Sequence, residues 1–226
     1  MSSLIVALDF SSIEEATAVA RSLATEVAGF KVGLELLTGV GPGAISEIAD
    51  LGLPVFADAK LHDIPNTVHN AASRIAAAGA RWVTVHASGG REMMEAAVTG
   101  MGGAGVLAVT VLTSLSADDL ESIGIRSGLE KQVLTLAGLA AAAGVEGLVC
   151  APSDVSAVRN EANGLTIFTP GIRVAGAAIH DQKRVGTPES AVAHGADYLV
   201  IGRPITRAPD PVVAAREISR TLNRSG

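Results

Sequence analysis

The sequence predicts an α/β fold, a single (β/α)8 TIM barrel that covers residues 1–226. Eight short apolar runs alternate with helix-like segments along the chain, and no linker or low-complexity segment interrupts them. The composition is 48% hydrophobic but only 3% aromatic, which is typical of an interior built from Ala, Val, Leu and Ile. A doubly wound open sheet is the alternative, but no G-x-G-x-x-G follows the first run and no P-loop is present.

Each predicted strand is a run of mostly apolar residues, as expected of a parallel strand that is covered on both faces. The first run ends at a polar residue, Asp9, and the fifth ends at Thr113. In chain order, the predicted strands are residues 4–8, 30–32, 53–57, 82–86, 105–112, 147–150, 165–168 and 198–201.

Capping residues mark several helix starts. Ser12 is followed three positions later by Glu15, a capping-box pattern, and Thr187 precedes Pro188 as a cap precedes the first helical residue. Ser116 is followed by Asp118 and Asp119, and this pattern predicts a further short helix that Ser116 caps. The other predicted helices are residues 43–50, 65–78, 92–98, 129–143, 153–160 and 211–222.

Charge and cysteine content limit the possible partners and location. A formal net charge of −6 argues against general binding to nucleic acid or to an anionic membrane, so an anionic ligand needs a local site. The uncharged run 98–117 contains four glycines and is interpreted as a loop and a buried strand, not as a membrane span. The single cysteine, Cys150, cannot form an intrachain disulfide and favours a reducing cytoplasm.

The densest group of charges follows the third predicted strand. Asp58, Lys60 and Asp63 lie within six residues, just before Pro65 at an expected helix start. Because side chains alternate along a strand, Asp58 and Lys60 are expected on one face. A structural ion pair is the simplest interpretation. However, two carboxylates beside one lysine would also keep that lysine protonated, as a proton donor next to an anionic substrate requires.

Other polar residues fall at predicted strand ends, where barrel enzymes place their active sites. They are Asp9, Lys31, His86, Thr113, Arg173, Gly202 and Arg203. After the eighth strand, Gly202 permits close backbone approach and Arg203 is a two-pronged donor, so the pair predicts a phosphate site. An ordinary arginine in an exposed loop, with no ligand, is an alternative interpretation of the same two residues. Residues 174–181, between Arg173 and Gln182, contain a glycine and few core anchors and are predicted to form a lid.

The sequence contains no pattern typical of a metal centre, a catalytic nucleophile or a cofactor. No two histidines have metal-ligand spacing with a nearby carboxylate, and no G-x-S-x-G elbow is present. Cys150 has no basic neighbour along the chain. His86 follows a buried strand, where a structural role is favoured over catalysis. We therefore expect a site without metal or cofactor.

With these residues assembled, the chain resembles the orotidine 5′-phosphate decarboxylase family from residue 4 to about residue 218. The specific match is D-A-K-L-H-D-I-P-N-T at 58–67, which has the D-x-K-x-x-D-I-P signature of the family. Further matches are A-L-D at 7–9, F-K-V-G at 30–33, V-L-T-S at 111–114, T-P-G-I-R at 169–173, D-Q at 181–182 and I-G-R-P-I at 201–205. Val174 departs from the proline that many relatives have after the arginine.

The resemblance implies decarboxylation of orotidine 5′-monophosphate (OMP) to UMP and CO2, the last step of UMP synthesis. It implies that Lys60 is the proton donor, within an alternating charge network formed by Lys31, Asp58, Lys60 and Asp63. It also implies a homodimer, because in this family Asp63 and Thr67 reach the active site of the partner subunit.

The resemblance further implies contacts to each part of the nucleotide. Asp9 and Lys31 would contact the ribose, and Thr113, with Ser116 as a possible addition, would line the pyrimidine side. The phosphate would be held by Arg173, Gln182, Gly202 and Arg203. With no cofactor as electron sink, fixed charges must favour the developing carbanion over the bound substrate.

Two alternatives remain open on the sequence. One is an Mg²⁺-dependent sugar-phosphate decarboxylase or synthase of the same barrel superfamily, which has a carboxylate ligand where this chain has Lys31. Lysine there would repel the metal, and activity that survives EDTA would separate the two. The other alternative is a non-catalytic barrel that binds a phosphoribosyl ligand.

Overall fold

The computed structural model describes residues 3–173 and 184–224. Its centre is a closed barrel of eight parallel strands, in which each strand pairs with the next and the last pairs with the first. The strands are β1 (Leu4–Leu8), β2 (Gly29–Val32), β3 (Val55–Leu61), β4 (Trp82–His86), β5 (Gly105–Val109), β6 (Gly147–Val149), β7 (Thr166–Thr169) and β8 (Tyr198–Ile201). The predicted barrel is confirmed, and the open-sheet alternative is wrong.

Helices cover the outside of the barrel and connect successive strands. They are α1 (Ile13–Leu23), α2 (Leu34–Gly39), α3 (Gly43–Ala49), α4 (Pro65–Ala77), α5 (Arg91–Met101), α6 (Ala117–Ser122), α7 (Leu129–Ala142), α8 (Val155–Glu161), α9 (Pro188–Ala193), α10 (Arg203–Thr206) and α11 (Pro211–Arg224). Within the described ranges, no helix is long and apolar enough to cross a membrane.

The predicted caps form at three helix starts. The Ser12 hydroxyl accepts a hydrogen bond from the Glu15 amide at the start of α1, and Thr187 caps α9 in the same way. Ser116 caps α6 through a complete capping box with Asp119. These bonds satisfy amide groups that the first turn of a helix leaves without partners.

Differences from the predicted elements cluster at the carboxyl ends of the strands. β3 continues to Leu61, four residues beyond its predicted end, whereas β5 stops at Val109, three residues before its predicted end. The sequence did not predict α2 or α10. These helices have six and four residues, which is too short for a clear apolar period.

Two apolar layers hold the barrel together. The larger one lies between the strands and the helices, and the smaller one fills the barrel interior. Inside the barrel, the ring of Phe168 contacts the rings of Phe56, Trp82 and Tyr198, with centroid separations of 5.6, 5.2 and 4.6 Å. Bulky rings therefore close the interior beneath the carboxyl ends of the strands, as expected of a packed barrel rather than a pore.

Candidate active site

A cavity of about 230 Å³ opens at the carboxyl ends of the strands. Eight of the residues predicted from the sequence line it, namely Asp9, Lys31, Asp58, Lys60, Thr113, Arg173, Gly202 and Arg203. Apolar side chains, including Phe56 and Val200 from the barrel interior, line the remainder. The cavity therefore combines an apolar floor with an unusually dense set of charges.

The charges form a continuous network centred on Asp58. One carboxylate oxygen of Asp58 lies 2.8 Å from Lys60 Nζ, and the other lies 3.3 Å from Lys31 Nζ. Lys31 Nζ also donates to Asp9 Oδ1 at 3.1 Å. The chain packs closely here, because a Cβ atom on Gly33 would lie 2.8 Å from Lys31 Nζ. The network alternates in sign, and it contains Lys31, Asp58 and Lys60 as the family resemblance implies, with Asp9 as its fourth member in place of Asp63.

Burial and charge act in opposite directions on the two innermost groups. Burial alone would raise the pKa of Asp58, but the charges of Lys31 and Lys60, with hydrogen bonds from Lys60 and Thr84, lower it overall. Burial alone would lower the pKa of Lys31, but the Asp58 and Asp9 carboxylates raise it overall. Asp58 is therefore an anion and Lys31 a cation at neutral pH.

Lys60 reaches Asp58 through an irregular backbone, not through the regular alternation expected from the sequence. The pairing of β3 with β4 shifts register between Ala57 and Leu61. Within this bulge, Lys60 has φ = 48°, the one positive value among the described non-glycine residues. Such a conformation costs about 1–3 kcal/mol and persists only where its surroundings enforce it. The predicted contact is correct, but regular alternation was the wrong reason for it.

Thr84 is part of the network, and the sequence analysis missed it. Its hydroxyl accepts a hydrogen bond from the Lys60 amide at 2.9 Å and donates one to Asp58 Oδ1 at 3.0 Å. The side chain is fully buried on β4. A threonine inside an apolar strand is common, so only its position beside the bulge distinguishes it, and that position cannot be read from the sequence.

The predicted phosphate residues lie around the opposite strands. The backbone at Gly202 packs closely against Ala7, because a Cβ atom on Gly202 would lie 3.3 Å from the Cβ of Ala7. Arg203 is exposed at the start of α10, and Arg173 follows β7 and donates from Nη1 to the Ile172 carbonyl at 2.8 Å. Arg173 and Arg203 both line the cavity. Gln182 and the predicted lid, residues 174–181, lie outside the described residues.

Three other predicted residues lie away from the cavity lining. Asp63 and Thr67 are exposed at the start of α4, and the Asp63 carboxylate accepts a hydrogen bond from the Ile64 amide at 2.6 Å. Neither residue is among the described residues that line the cavity. The Ser116 hydroxyl donates to Asp119 Oδ2 at 2.6 Å. The structure therefore brings Lys31, Asp58 and Lys60 together but not the other acid, Asp63.

Arg184 is a second residue that sequence reasoning missed. It pairs with the partly buried Asp154 carboxylate, and its Nη2 donates to the carbonyl groups of Val111 and Leu112 at 2.8 and 3.0 Å. The Arg184 amide donates to the Thr113 carbonyl at 3.3 Å. These bonds fix the loop after β5 that carries Thr113 to the cavity.

Two residues considered for other chemistry have environments that favour the neutral form. Cys150 lines the cavity, and burial raises the pKa of its thiol, so it is not an activated nucleophile. Burial also lowers the pKa of His86, and the nearby His62 and Lys60 lower it further. The rings of His86 and His62 lie 5.5 Å apart. A structural role for His86 stays a prediction.

A closed barrel with an alternating charge network at its mouth, centred on the buried Asp58, is the architecture of a (β/α)8-barrel enzyme. The sequence model described as "Orotidine 5'-phosphate decarboxylase / HUMPS family" matches residues 2–218. This chain therefore belongs to the orotidine 5′-phosphate decarboxylase family, and the resemblance found in the sequence is confirmed.

Individual relatives agree with the family match. An orotidine 5′-phosphate decarboxylase from Anaeromyxobacter sp. (strain K) is 53% identical over 218 residues, which are 96% of each chain. One from Halorhodospira halophila is 46% identical over 228 residues and covers 99% of this chain and 97% of the relative. The crystal structure of the Lactobacillus acidophilus orotidine 5′-phosphate decarboxylase superimposes with a TM-score of 0.87 at 36% identity, covering 99% of this chain and 100% of that one. Nothing in these comparisons supports the sugar-phosphate or the non-catalytic alternative.

The network predicts a specific pH dependence of stability. The pKa of Asp58 lies below its ordinary value of 3.8 in the folded protein, so its stabilisation is complete above that value and is lost as pH falls through the folded-state pKa. Asp58→Asn should lower the free energy of unfolding by about 3–5 kcal/mol at neutral pH, because two lysines lose their buried partner. Urea unfolding of both proteins from pH 7 downward should show this difference shrinking in acid. A difference that is constant with pH would contradict the assignment.

Proposed function

We propose that this protein converts orotidine 5′-monophosphate into UMP and CO2, without a metal or cofactor, by means of the charge network at the barrel mouth. The observation that carries this proposal is the ammonium group of Lys60, held 2.8 Å from the buried Asp58 carboxylate beside the cavity. Family membership and the named relatives support the choice of substrate.

The reaction needs an acid at one ring carbon. The bond between that carbon and the carboxylate breaks, CO2 departs, and the electron pair stays on the ring carbon in the plane of the ring. The ring π system cannot spread this charge, so a nearby cation must stabilise it. Lys60 supplies the positive charge and then a proton from Nζ, which forms the new C–H bond. Solvent returns the proton to Lys60 after the product leaves.

Asp58 destabilises the bound substrate relative to the transition state and so lowers the barrier between them. Its carboxylate would face the carboxylate of the substrate, and this repulsion disappears when CO2 leaves. Lys31 keeps Asp58 ionised, since the two groups lie 3.3 Å apart. Charges fixed before the reaction need no reorganisation during it, which is the usual source of electrostatic catalysis.

The phosphate end of the substrate lies with the arginines. Gly202, Arg203 and Arg173 line the cavity after β8 and β7, where barrels commonly bind phosphate. Binding energy from this remote group offsets the repulsion at the reacting end. Contacts of Asp9 and Lys31 with the ribose, of Thr113 with the pyrimidine and of Gln182 with the phosphate stay predictions from the family resemblance.

The position of Lys31 argues against the magnesium alternative. Its ammonium group lies within 3.3 Å of both Asp9 and Asp58, where a divalent cation would otherwise bind the same carboxylates. A cation held between two acids would repel a second one. This arrangement favours the pyrimidine substrate over a metal-chelated sugar phosphate.

We also propose that two copies of the chain complete each site. Asp63 and Thr67 are exposed, and Ile64 between them is 66% exposed, which is high for a large apolar side chain. A partner subunit would bury Ile64 and place Asp63 in the neighbouring site, as the family resemblance implies. The cytoplasmic location suggested by the single cysteine stays a prediction.

Replacing Lys60 tests the proton donor. Lys60→Ala should decarboxylate OMP at least ~10³-fold more slowly, because it loses the acid and the cation together, yet it should still bind UMP. The loss of OMP absorbance measures turnover, and UMP titration measures binding. Lys131→Ala, at an exposed lysine on α7, is the matched control and should behave like the wild type. Turnover by Lys60→Ala near the wild-type rate would remove Lys60 from this role.

Replacing Arg203 tests the phosphate site. Arg203→Ala should raise the KM for OMP by roughly 10- to 100-fold, because a charge-assisted bond to phosphate is lost. Arg207→Ala, at an exposed arginine immediately after α10, is the control. With orotidine, which lacks the phosphate, Arg203→Ala and the wild type should have equal kcat/KM. An unchanged KM for OMP would refute the assignment.

Mixing two inactive variants tests the shared site. If Asp63 acts in the partner's site, a heterodimer of Lys60→Ala and Asp63→Asn has one doubly altered site and one intact site. Random re-association of equal amounts should therefore restore about one quarter of the wild-type activity. If Asp63 acts within its own subunit, no site is intact and mixing restores no activity.

A further inference from the structure

Thr84 supplies a hydrogen-bond acceptor for the backbone at the bulge in β3. From the pair Ala57–Val83 to the pair Leu61–Val85, β3 advances four residues while β4 advances two. The extra residues of β3 therefore have no regular ladder partners on β4. At this bulge the Lys60 amide donates a hydrogen bond to the Thr84 hydroxyl at 2.9 Å.

One hydroxyl joins the backbone of Lys60 to the side chain of Asp58. A threonine hydroxyl has a single proton, and its oxygen has two lone pairs. Because the Thr84 oxygen accepts the Lys60 N–H, its proton is left to donate to Asp58 Oδ1, 3.0 Å away. The same carboxylate oxygen accepts from Lys60 Nζ at 2.8 Å. Thr84, Lys60 and Asp58 thus form a closed ring of hydrogen bonds.

This ring determines where the Lys60 ammonium group lies. The left-handed backbone of Lys60 sets the direction in which its side chain leaves β3. A change of that backbone conformation would change the direction of the side chain and so move its Nζ. Thr84 is fully buried and lies on a regular strand, so it is a fixed point against which the strained residue is held.

We propose that Thr84 is a positioning residue of the decarboxylation, which acts by holding Lys60 in its left-handed backbone conformation and Asp58 at a fixed orientation. This inference rests on the proposed role of Lys60 as proton donor. Thr84 is not among the described residues that line the cavity, so it acts through its two neighbours and not on the substrate.

Three substitutions separate positioning from packing. Thr84→Val keeps the shape of the side chain and removes the hydroxyl, whereas Thr84→Ser keeps the hydroxyl and removes the methyl group. Thr110→Val is the matched control, because Thr110 is also buried beside the barrel and donates to a backbone carbonyl, that of Val149, at 3.3 Å. Unfolding in urea, kcat, the KM for OMP and the dissociation constant of UMP are measured for each.

We expect Thr84→Val to lower kcat by about 10²-fold, as a displacement of about 1 Å at the reacting groups would do. The KM and the UMP dissociation constant should change by less than about threefold, because the binding contacts remain. Thr84→Ser should recover most of kcat, and Thr110→Val should retain it. If Thr84→Val does not fold, Thr84→Ala against Thr84→Ser gives the same comparison. A kcat within twofold of the wild type without the hydroxyl, or equal losses with and without it, would overturn the proposal.

A double variant separates this proposal from the one on which it rests. If Thr84 acts through Lys60, Thr84→Val should matter less once Lys60 is absent. The factor by which Thr84→Val slows turnover in the Lys60→Ala protein should be at least tenfold smaller than the factor in the wild type. Equal effects in both backgrounds would refute the proposed action of Thr84 through Lys60. Normal turnover by Lys60→Ala would instead refute the proton donor. A slow Lys60→Ala with a normal Thr84→Val would refute only the role of Thr84.

Discussion

The structure of the site depends on one constraint, which is that the buried Asp58 carboxylate must be fully paired. An unpaired carboxylate in this position would take up a proton rather than stay charged. Each of its two oxygens contacts a lysine ammonium group, at 2.8 Å for Lys60 and 3.3 Å for Lys31. These three charges therefore stabilise one another as a set.

The barrel makes such pairing possible. The inward-facing positions of neighbouring parallel strands lie side by side, so β2 and β3 bring Lys31 and Asp58 together although they are far apart in the sequence. Below them, the rings of Phe56 and Phe168 exclude water from the interior. A dry floor strengthens each charge interaction above it. The apolar floor therefore strengthens the ion pairs above it, and this floor is itself part of the barrel core.

Much of this arrangement can be predicted from the sequence, because apolar runs and strand-end polar residues are local signals. The eight strands and the lining role of Arg173 and Arg203 follow from such signals. The contact between Asp58 and Lys60 was expected, but it is made through the bulge in β3, which arises from how two strands pair and not from a local signal. Thr84 and Arg184 were missed for the same reason, since both act on partners that are distant in the sequence and their types are ordinary.

The most direct test of the proton-donor role of Lys60 is a crystal structure of the protein with bound UMP. We expect Lys60 Nζ to lie about 3–3.5 Å from the ring carbon that loses the carboxylate, close enough to deliver a proton. We also expect the Thr84 hydroxyl still to join the Lys60 amide to Asp58. A Lys60 side chain that turns away from that carbon, with its Nζ beyond about 5 Å, would contradict the assignment of Lys60 as the proton donor.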